Sequence, residues 1–217
     1  MREKRPSIFA FSVIVPLAIL VVAILAFGDY ALFAFLNQQI ANPILDFACT
    51  YASPVLFSGF YVLTFVTLLL SKDSMSNASG AVSILNGLLS YGVGSLIKDI
   101  VRRPRPEALV TARVISEARL IGLWHADSFS FPSTTAMLAF GLALPILLAK
   151  PRYGAILVVL SYFLGFAVIY TGFHFPLDVA AGILFSIPIT LCTDRLKKPI
   201  AGLLKRFGLH KAENTKA

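Results

Sequence analysis

Long apolar runs without a charged side chain recur along this chain and restrict what it can fold into. The first covers residues 8–27, and others of similar character follow as far as residue 193. A helix needs about 20 mainly apolar residues to cross the hydrocarbon core of a bilayer. Only 14% of the 217 residues are charged, against about 25% in a soluble domain. The sequence therefore predicts an integral membrane protein, a single domain over residues 1–217.

Six apolar segments are predicted to form membrane-spanning helices. The predicted fold is therefore all-α, a six-helix transmembrane bundle. The expected spans are 8–27, 54–70, 79–98, 133–149, 154–173 and 177–193. Residues 29–48 are too polar to cross lipid and indicate an amphipathic connection, and the polar tail 205–217 is expected to be disordered. Gly80, Gly87 and Gly94 stand seven residues apart in the third span, which is typical of a face where helix backbones approach closely.

The distribution of Lys and Arg predicts how the bundle is oriented, because basic loops stay in the cytoplasm. With six crossings, the basic segments fall on one side: Arg2, Lys4, Arg5, Lys72, Lys150, Arg152 and the cluster from Arg195 to Lys216. Both termini are therefore expected in the cytoplasm, with the protein in the plasma membrane. These loops account for most of the net charge of +8, so nucleic acid is not expected as a partner.

The loop between the third and fourth spans breaks this rule. It is expected to face outward, yet it holds six basic residues: Lys98, Arg102, Arg103, Arg105, Arg113 and Arg119. Binding an anion explains why positive charge is kept on the outer side. The alternative is that one span does not cross and the expected topology is wrong.

The first two of three polar segments supply groups that can hold a phosphate. Lys98, Arg102 and Arg105 are spaced to share one helix face, and arginine offers a planar fork of donors for phosphate oxygens. Ser133 and Thr134 open the fourth span, where unpaired N–H groups and the helix dipole favour an anion. Simple capping of the helix by Ser133 explains that segment equally well.

The third segment pairs a histidine with a carboxylate. His174 and Asp178 are four residues apart, and Pro176 favours a helix that starts between them. A carboxylate in that position can hold an imidazole in one tautomer and raise its basicity, as in a catalytic triad. A lone histidine near a membrane surface is usually an interfacial residue, whereas this pair beside a basic loop is a functional candidate.

The three segments resemble the signature of the type 2 phosphatidic acid phosphatase and haloperoxidase superfamily, in its integral-membrane lipid phosphatase branch. The family pattern is Lys-x6-Arg-Pro, then Pro-Ser-Gly-His, then Ser-Arg-x5-His-x3-Asp. The matching residues are Lys98, Arg105 and Pro106, then Pro132 and Ser133, then His174 and Asp178. The resemblance covers about residues 80–195, the expected phosphatase-like core, with a catalytic loop between helices 3 and 4.

The resemblance implies a role for each matching residue. His174 would attack phosphorus and form a phospho-histidine, and Asp178 would orient it. The phosphate would be bound by Lys98, Arg105, Ser133 and the backbone near Thr134. No metal or other cofactor is expected, since the motif loops contain no carboxylate cluster of the kind that holds Mg²⁺. The partner would be a phosphorylated membrane lipid, met at the outer face.

Two positions depart from the family pattern. Thr135 stands where the family has the histidine that protonates the leaving group, and Val168 stands where it has a phosphate-binding arginine. A general acid contributes about 10²–10⁴ in rate, and a threonine hydroxyl is too weak an acid to replace it. Arg102 or Arg103 is the nearest substitute for the arginine. His125 is the nearest substitute for the acid, although an ordinary loop histidine is the simpler interpretation.

These departures leave two hypotheses open. An active enzyme would favour a polyprenyl or similar lipid diphosphate over phosphatidic acid, because a leaving phosphate is already a stable anion and needs a proton much less than an alkoxide does. A degenerate member would bind a phosphorylated lipid or a partner without turnover. Thr135 and Val168 favour the second hypothesis, and the retained His174 and Asp178 oppose it. A transporter is disfavoured because the polar residues cluster at one membrane face.

Overall fold

The computed structural model describes residues 8–118 and 129–206, and every regular element in these two ranges is helical. The all-α prediction is confirmed. His125, Arg119 and residues 207–217 of the expected tail lie outside these ranges. The longer helices, numbered in chain order, are α1 Val15–Phe27, α2 Ser53–Leu69, α3 Ser74–Val101, α4 Thr134–Ala149, α5 Pro151–Tyr170, α6 Pro176–Asp194 and α7 Lys197–Arg206.

Five helical stretches in the described ranges are long and apolar enough to cross a membrane. They are Ala10–Phe27, Pro43–Leu69, Ser74–Leu109, Pro151–Tyr170 and Pro176–Asp194. The remaining expected span, 133–149, is the 16-residue helix α4. Its length of about 24 Å falls short of the roughly 30 Å hydrocarbon core. The prediction of six spanning helices is therefore confirmed for five of them.

The short helix α4 lies at the centre of the bundle. It packs against α3, α5 and α6, and its side chains Met137, Phe140 and Leu144 are fully buried. A helix covered by protein on its sides has the same apolar composition as one covered by lipid. That is why the sequence predicts a spanning helix here.

The segment 29–48 is helical in short pieces, and the second span begins earlier than expected. The helix Asp29–Ala34 follows Gly28, and a π-helical turn Phe35–Gln39 follows it. From Pro43 onward the chain is helical without a break into α2. Asn42 starts this stretch, because its side chain accepts a hydrogen bond from Leu45 N at 3.0 Å.

Glycines on α3 allow a close approach to α4, as predicted for two of the three positions. A Cβ on Gly87 would lie 2.5 Å from Leu142, and one on Gly94 would lie 2.6 Å from Met137. Gly80 has ordinary clearance, 3.5 Å from the nearest atom. Within lipid, where the hydrophobic effect does not hold helices together, such close packing stabilises their association.

A hydrogen-bonded node inside the bundle ties α3 to α4 and α6. Pro145 in α4 has no N–H, so the Gly141 carbonyl lacks its helical donor. Asn86 Nδ2 donates to that carbonyl at 2.7 Å. The same amide donates to Thr190 Oγ1 at 2.9 Å and accepts from Thr193 Oγ1 at 2.8 Å. These three hydrogen bonds form the Asn86 node.

Gly154→Ala should lower the stability of the bundle, although alanine is the better helix former. Its Cβ would lie 2.1 Å from Leu147 Cα, so α4 and α5 must separate, at a cost of about 1–3 kcal/mol. Gly92→Ala in α3 is the control, because a Cβ there meets nothing within 4 Å and should gain up to about 1 kcal/mol. Thermal unfolding in detergent measures both. A Gly154→Ala midpoint at or above the wild-type value would contradict this packing.

Candidate active site

The three polar segments meet at one end of the bundle. The Arg103 carbonyl accepts a hydrogen bond from Ser130 N at 2.7 Å, which joins the first segment to the second. The Asp178 carbonyl accepts from Ser133 N at 2.9 Å, which joins the second segment to the third. Backbone bonds therefore bring together chain segments that are far apart in the sequence.

Two buried cations come from the first segment. Lys98 lies in the last turn of α3 and is 4% exposed, and its ammonium donates to the Phe129 carbonyl. Arg105 is 8% exposed, and its Nη1 donates to the Phe173 carbonyl at 2.8 Å. Both positive charges act electrostatically on His174, so the structure brings these three predicted site residues together.

The start of α4 offers an anion site. Ser133 caps the helix, since its Oγ accepts from Ala136 N at 3.3 Å. The first-turn N–H groups, here of Thr134 and Thr135, have no acceptor within their own helix, and the positive end of the helix dipole lies beside them. Both the capping interpretation and the anion-site interpretation of this segment are therefore compatible with its geometry.

His174 is positioned by a tight turn between α5 and α6. Gly172 forms the turn at φ +89, and a Cβ there would lie 2.6 Å from a backbone oxygen of the neighbouring loop. The N–H groups of Phe173 and His174 both donate to the Val168 carbonyl, at 3.0 and 3.1 Å. As a result the His174 side chain is buried, with Nδ1 3.7 Å from Asp178 Oδ2.

Burial lowers the pKa of His174 to about 4. Desolvation is the main cause, because it disfavours the charged imidazolium. The positive charges of Lys98 and Arg105 lower the pKa further, while Asp178 acts in the opposite direction. At 3.7 Å the contact with Asp178 is too long for a hydrogen bond, and Nδ1 has no hydrogen-bond partner among the described residues. The imidazole is therefore neutral at pH 7, which is the form that can act as a nucleophile.

Asp178 is fully buried, and three donors hold its carboxylate. Oδ1 accepts from Arg103 Nη1 at 2.7 Å, and Oδ2 accepts from Phe175 N at 2.8 Å and from Ser130 Oγ. Arg103 also pairs with Asp29, at 2.5 Å between Nη2 and Oδ2. The sequence alone gives Ser130 no role and assigns Asp29 to an amphipathic connection. An acidic residue in a connecting segment without Lys or Arg, in a chain that has one arginine-rich loop, is the signal that could have identified Asp29.

The two positions that depart from the family pattern hold buried, uncharged side chains. Thr135 lies in the first turn of α4, and Val168 is part of the apolar core. Of the nearest substitutes, Arg102 is exposed and donates to a carbonyl of its own helix at 3.0 Å. Arg103 lies in the site, engaged by two carboxylates. Within residues 8–118 and 129–206, no group of three or more His, Cys, Asp or Glu side chains is placed to hold a metal ion.

Sequence comparison matches residues 80–197 to the family described as the PAP2 superfamily. The undecaprenyl-diphosphatase BcrC of Bacillus subtilis is 25% identical over 174 residues, which are 79% of this chain and 84% of that protein. The bacitracin transport permease protein BcrC of Bacillus licheniformis is 25% identical over 160 residues, 71% of this chain and 73% of that protein. An undecaprenyl-diphosphatase of Sulfolobus acidocaldarius is 27% identical over 123 residues, 56% of this chain and 57% of that protein.

Among solved structures, LpxE of Aquifex aeolicus has a similar fold. The TM-score is 0.53 at 24% sequence identity, and the match covers 76% of this chain and 93% of that chain. At this identity the likeness establishes the arrangement of helices alone.

The lowered pKa of His174 should make stability depend on pH in a defined window. The folded-state pKa of about 4 lies below the unfolded value of about 6.5, so the unfolded chain takes up the proton first as the pH falls. The contribution of His174 to the free energy of unfolding is therefore complete above about pH 6.5. It is lost as the pH falls from there to about 4, by up to about 1.4 kcal/mol per pH unit.

His174→Gln removes this proton-linked effect without adding a charge. The difference in unfolding free energy between wild type and variant should stay constant above pH 7 and change between pH 6.5 and 4, as measured by chemical unfolding in detergent. A difference that is constant over the whole range would rule out a depressed His174 pKa.

Proposed function

Because the chain belongs to the PAP2 superfamily, we propose that it is an integral membrane phosphatase that hydrolyses a lipid phosphate or diphosphate through a phospho-histidine at His174. The observation that carries the proposal is a buried, neutral imidazole beside two buried cations, Lys98 and Arg105. The undecaprenyl-diphosphatases among the relatives support a polyprenyl diphosphate as substrate.

The proposed reaction uses two displacements at phosphorus. The His174 nitrogen that lies away from Asp178, Nε2, forms a P–N bond as the P–O bond to the leaving group breaks. Water then attacks the phospho-histidine, releases inorganic phosphate and restores the imidazole. Lys98, Arg105 and the N-terminus of α4 at Ser133 stabilise the negative charge on the phosphoryl oxygens, which is the main catalytic contribution in such transfers.

The leaving group decides how much the threonine at position 135 costs. An alkoxide leaving from a phosphomonoester needs a proton, and Thr135 cannot supply one. A lipid monophosphate leaving from a diphosphate is a stable anion and needs the proton much less. Thr135 therefore favours a diphosphate substrate over phosphatidic acid. Thr135 and Val168 also favour the alternative function, a protein that binds phosphorylated lipid without turnover.

The proposed location is the plasma membrane, with the site at the outer face and both termini in the cytoplasm. The basic residues Lys150 and Lys197 lie together at the opposite end of the bundle, where they line one cavity. Basic segments remain on the cytoplasmic side, so the end that holds His174 is assigned to the outside.

In detergent, the purified protein should release phosphate from a polyprenyl diphosphate faster than from phosphatidic acid. His174→Gln should lower both rates by at least about 10³-fold, since the nucleophile is removed. Wild-type protein given substrate labelled in the terminal phosphate and quenched in alkali should carry the label, and the variant should not. If neither protein releases phosphate and both still bind the lipid, the binding protein is the correct alternative.

Thr135→His tests the leaving-group argument in the same assay. A histidine at this position restores the general acid that the family pattern expects. It should raise the rate on phosphatidic acid by up to about 10²-fold and the rate on the diphosphate much less. An equal gain on both substrates would show that the threonine does not determine the preference.

Two single-cysteine variants test the orientation, made in a background without Cys49 and Cys192. Ala108→Cys is exposed in the short helix Pro106–Leu109 near the site, and Gly202→Cys is exposed on α7. A membrane-impermeant maleimide should label Ala108→Cys in intact cells and Gly202→Cys only after permeabilisation. The reverse pattern would invert the proposed topology. Labelling of both in intact cells would place the two positions on the same side of the membrane, so that an even number of spans would lie between them instead of the proposed three.

A further inference from the structure

Arg103 lies between two carboxylates that come from distant parts of the chain. Its Nη1 donates to Asp178 Oδ1 at 2.7 Å, and its Nη2 donates to Asp29 Oδ2 at 2.5 Å. Asp29 begins the short helix after α1 and lies outside residues 80–197, the part that matches the family. The planar guanidinium is suited to this geometry, because its donors form a rigid fork.

Both carboxylates also bind the first turn of α6. Asp29 Oδ1 accepts from Leu177 N at 2.8 Å, and Asp178 Oδ2 accepts from Phe175 N at 2.8 Å. Arg103 closes a ring of polar contacts through these two carboxylates and the backbone of α6. The position of α6 and the orientation of the Asp178 carboxylate therefore depend on the same guanidinium.

The ring is shielded from water. The side chains of Arg103, Asp29 and Asp178 are 16%, 12% and 0% exposed. The guanidinium carbon of Arg103 lies 4.3 Å from the centroid of the Phe175 ring and 5.9 Å from that of Tyr30, which fixes the plane of the fork. Removing one charge from such a set leaves a partner buried without compensation.

The Asp178 carboxylate lies between Arg103 and His174, the proposed nucleophile. Arg103 binds Oδ1 of the carboxylate, while Oδ2 faces Nδ1 of His174 at 3.7 Å. The charged groups that act on His174 are Lys98 from α3, Arg105 from the turn after α3 and Asp178 from α6. Arg103 contacts Asp178 directly, and Asp29 lies on the other side of Arg103. The guanidinium therefore offsets part of the negative charge that Asp178 presents to the imidazole, and the charge of Asp29 reduces that offset.

From this geometry we infer that Arg103, anchored by Asp29, is a positioning residue of the proposed phosphatase, which fixes the Asp178 carboxylate against His174 and offsets part of its charge. This inference rests on the proposed function. It gives the N-terminal part of the chain, through Asp29, a role in the chemistry of the family-matched core. It also gives Arg103 a role other than replacing the arginine missing at position 168.

The experiment compares Arg103→Gln with Arg113→Gln. Arg113 is a matched control, because it also pairs with an outer-loop carboxylate, Asp46, at 2.8 Å and also lies over an aromatic ring, that of Tyr170, at 4.9 Å. No contact between Arg113 and Asp178 is present among the described residues. Phosphate release from a polyprenyl diphosphate is measured in detergent, with kcat, KM and the pH dependence of kcat/KM for each protein.

Arg103→Gln should lower kcat by about 10–100-fold, as is typical when the partner that orients a catalytic group is lost, and should leave KM nearly unchanged. The acid limb of kcat/KM, set by His174 in the free enzyme, should move to higher pH by about one unit, because the Asp178 charge is no longer offset. Asp29→Asn should move the limb the opposite way or leave it unchanged, since a negative charge is removed. Arg113→Gln should not move it.

Arg103→Lys covers the case in which Arg103→Gln does not fold. An ammonium keeps the positive charge but lacks the planar fork that holds the two carboxylates in a fixed geometry, so the acid limb should stay near the wild-type pH while kcat falls. A kcat and a pH profile equal to those of Arg113→Gln, or a change in KM alone, would overturn the inference while wild-type turnover still supports the proposed function. Absence of turnover in the wild type would instead refute the proposed function itself.

Discussion

A fully buried carboxylate is the group on which the site depends. An ionised carboxylate in an apolar interior is stable only if it is paired and hydrogen-bonded. Asp178 meets this requirement with donors from all three polar segments: Arg103 from the first, Ser130 from the second and the backbone of Phe175 from the third. Its own carbonyl holds Ser133 N at the start of α4. Because the buried charge of Asp178 requires several hydrogen-bond donors, it fixes the relative positions of the three polar segments.

Local spacing is the part of the site that the sequence predicts. The four-residue step places His174 and Asp178 at the start of α6. The helical spacing predicted for Lys98, Arg102 and Arg105 is wrong, because α3 ends at Val101 and Arg105 lies in an extended segment beyond it. Lys98, Arg105, His174 and Asp178 lie at the same end of the bundle in the structure and act electrostatically on one another. Their catalytic roles remain predictions; short-range rules relate His174 to Asp178, whereas the contact of this pair with Lys98 and Arg105 depends on the long-range folding of the chain.

Long-range pairing is the part that the sequence does not predict. Asp29 and Asp178 share Arg103, although no local pattern relates the three positions. The same holds for Asn37, which is fully buried and donates to the Arg113 carbonyl at 2.8 Å. From the sequence alone, a polar side chain in a connecting segment is expected to face solvent, because its distant partner cannot be identified. Burial of α4 in protein and burial in lipid require the same residues, which is why the sequence predicts the bounds of this helix, 133–149 against Thr134–Ala149, but not its position at the centre of the bundle.

The Asn86 node limits how the site can open. Its bonds join α3, α4 and α6 at the carbonyl that Pro145 leaves without a helical donor. Sliding one of these helices by a turn, about 5.4 Å, would break these bonds and leave the Asn86 amide and the Gly141 carbonyl without partners in an apolar interior, whereas Thr190 and Thr193 also donate to carbonyls of their own helix. Shear between packed helices is one common way for a protein to change shape. The hydrogen bonds of the Asn86 node oppose such sliding between α3, α4 and α6. In the proposed function, the segments beyond the helix ends would therefore have to accommodate the lipid head group, while α3, α4 and α6 keep their relative positions.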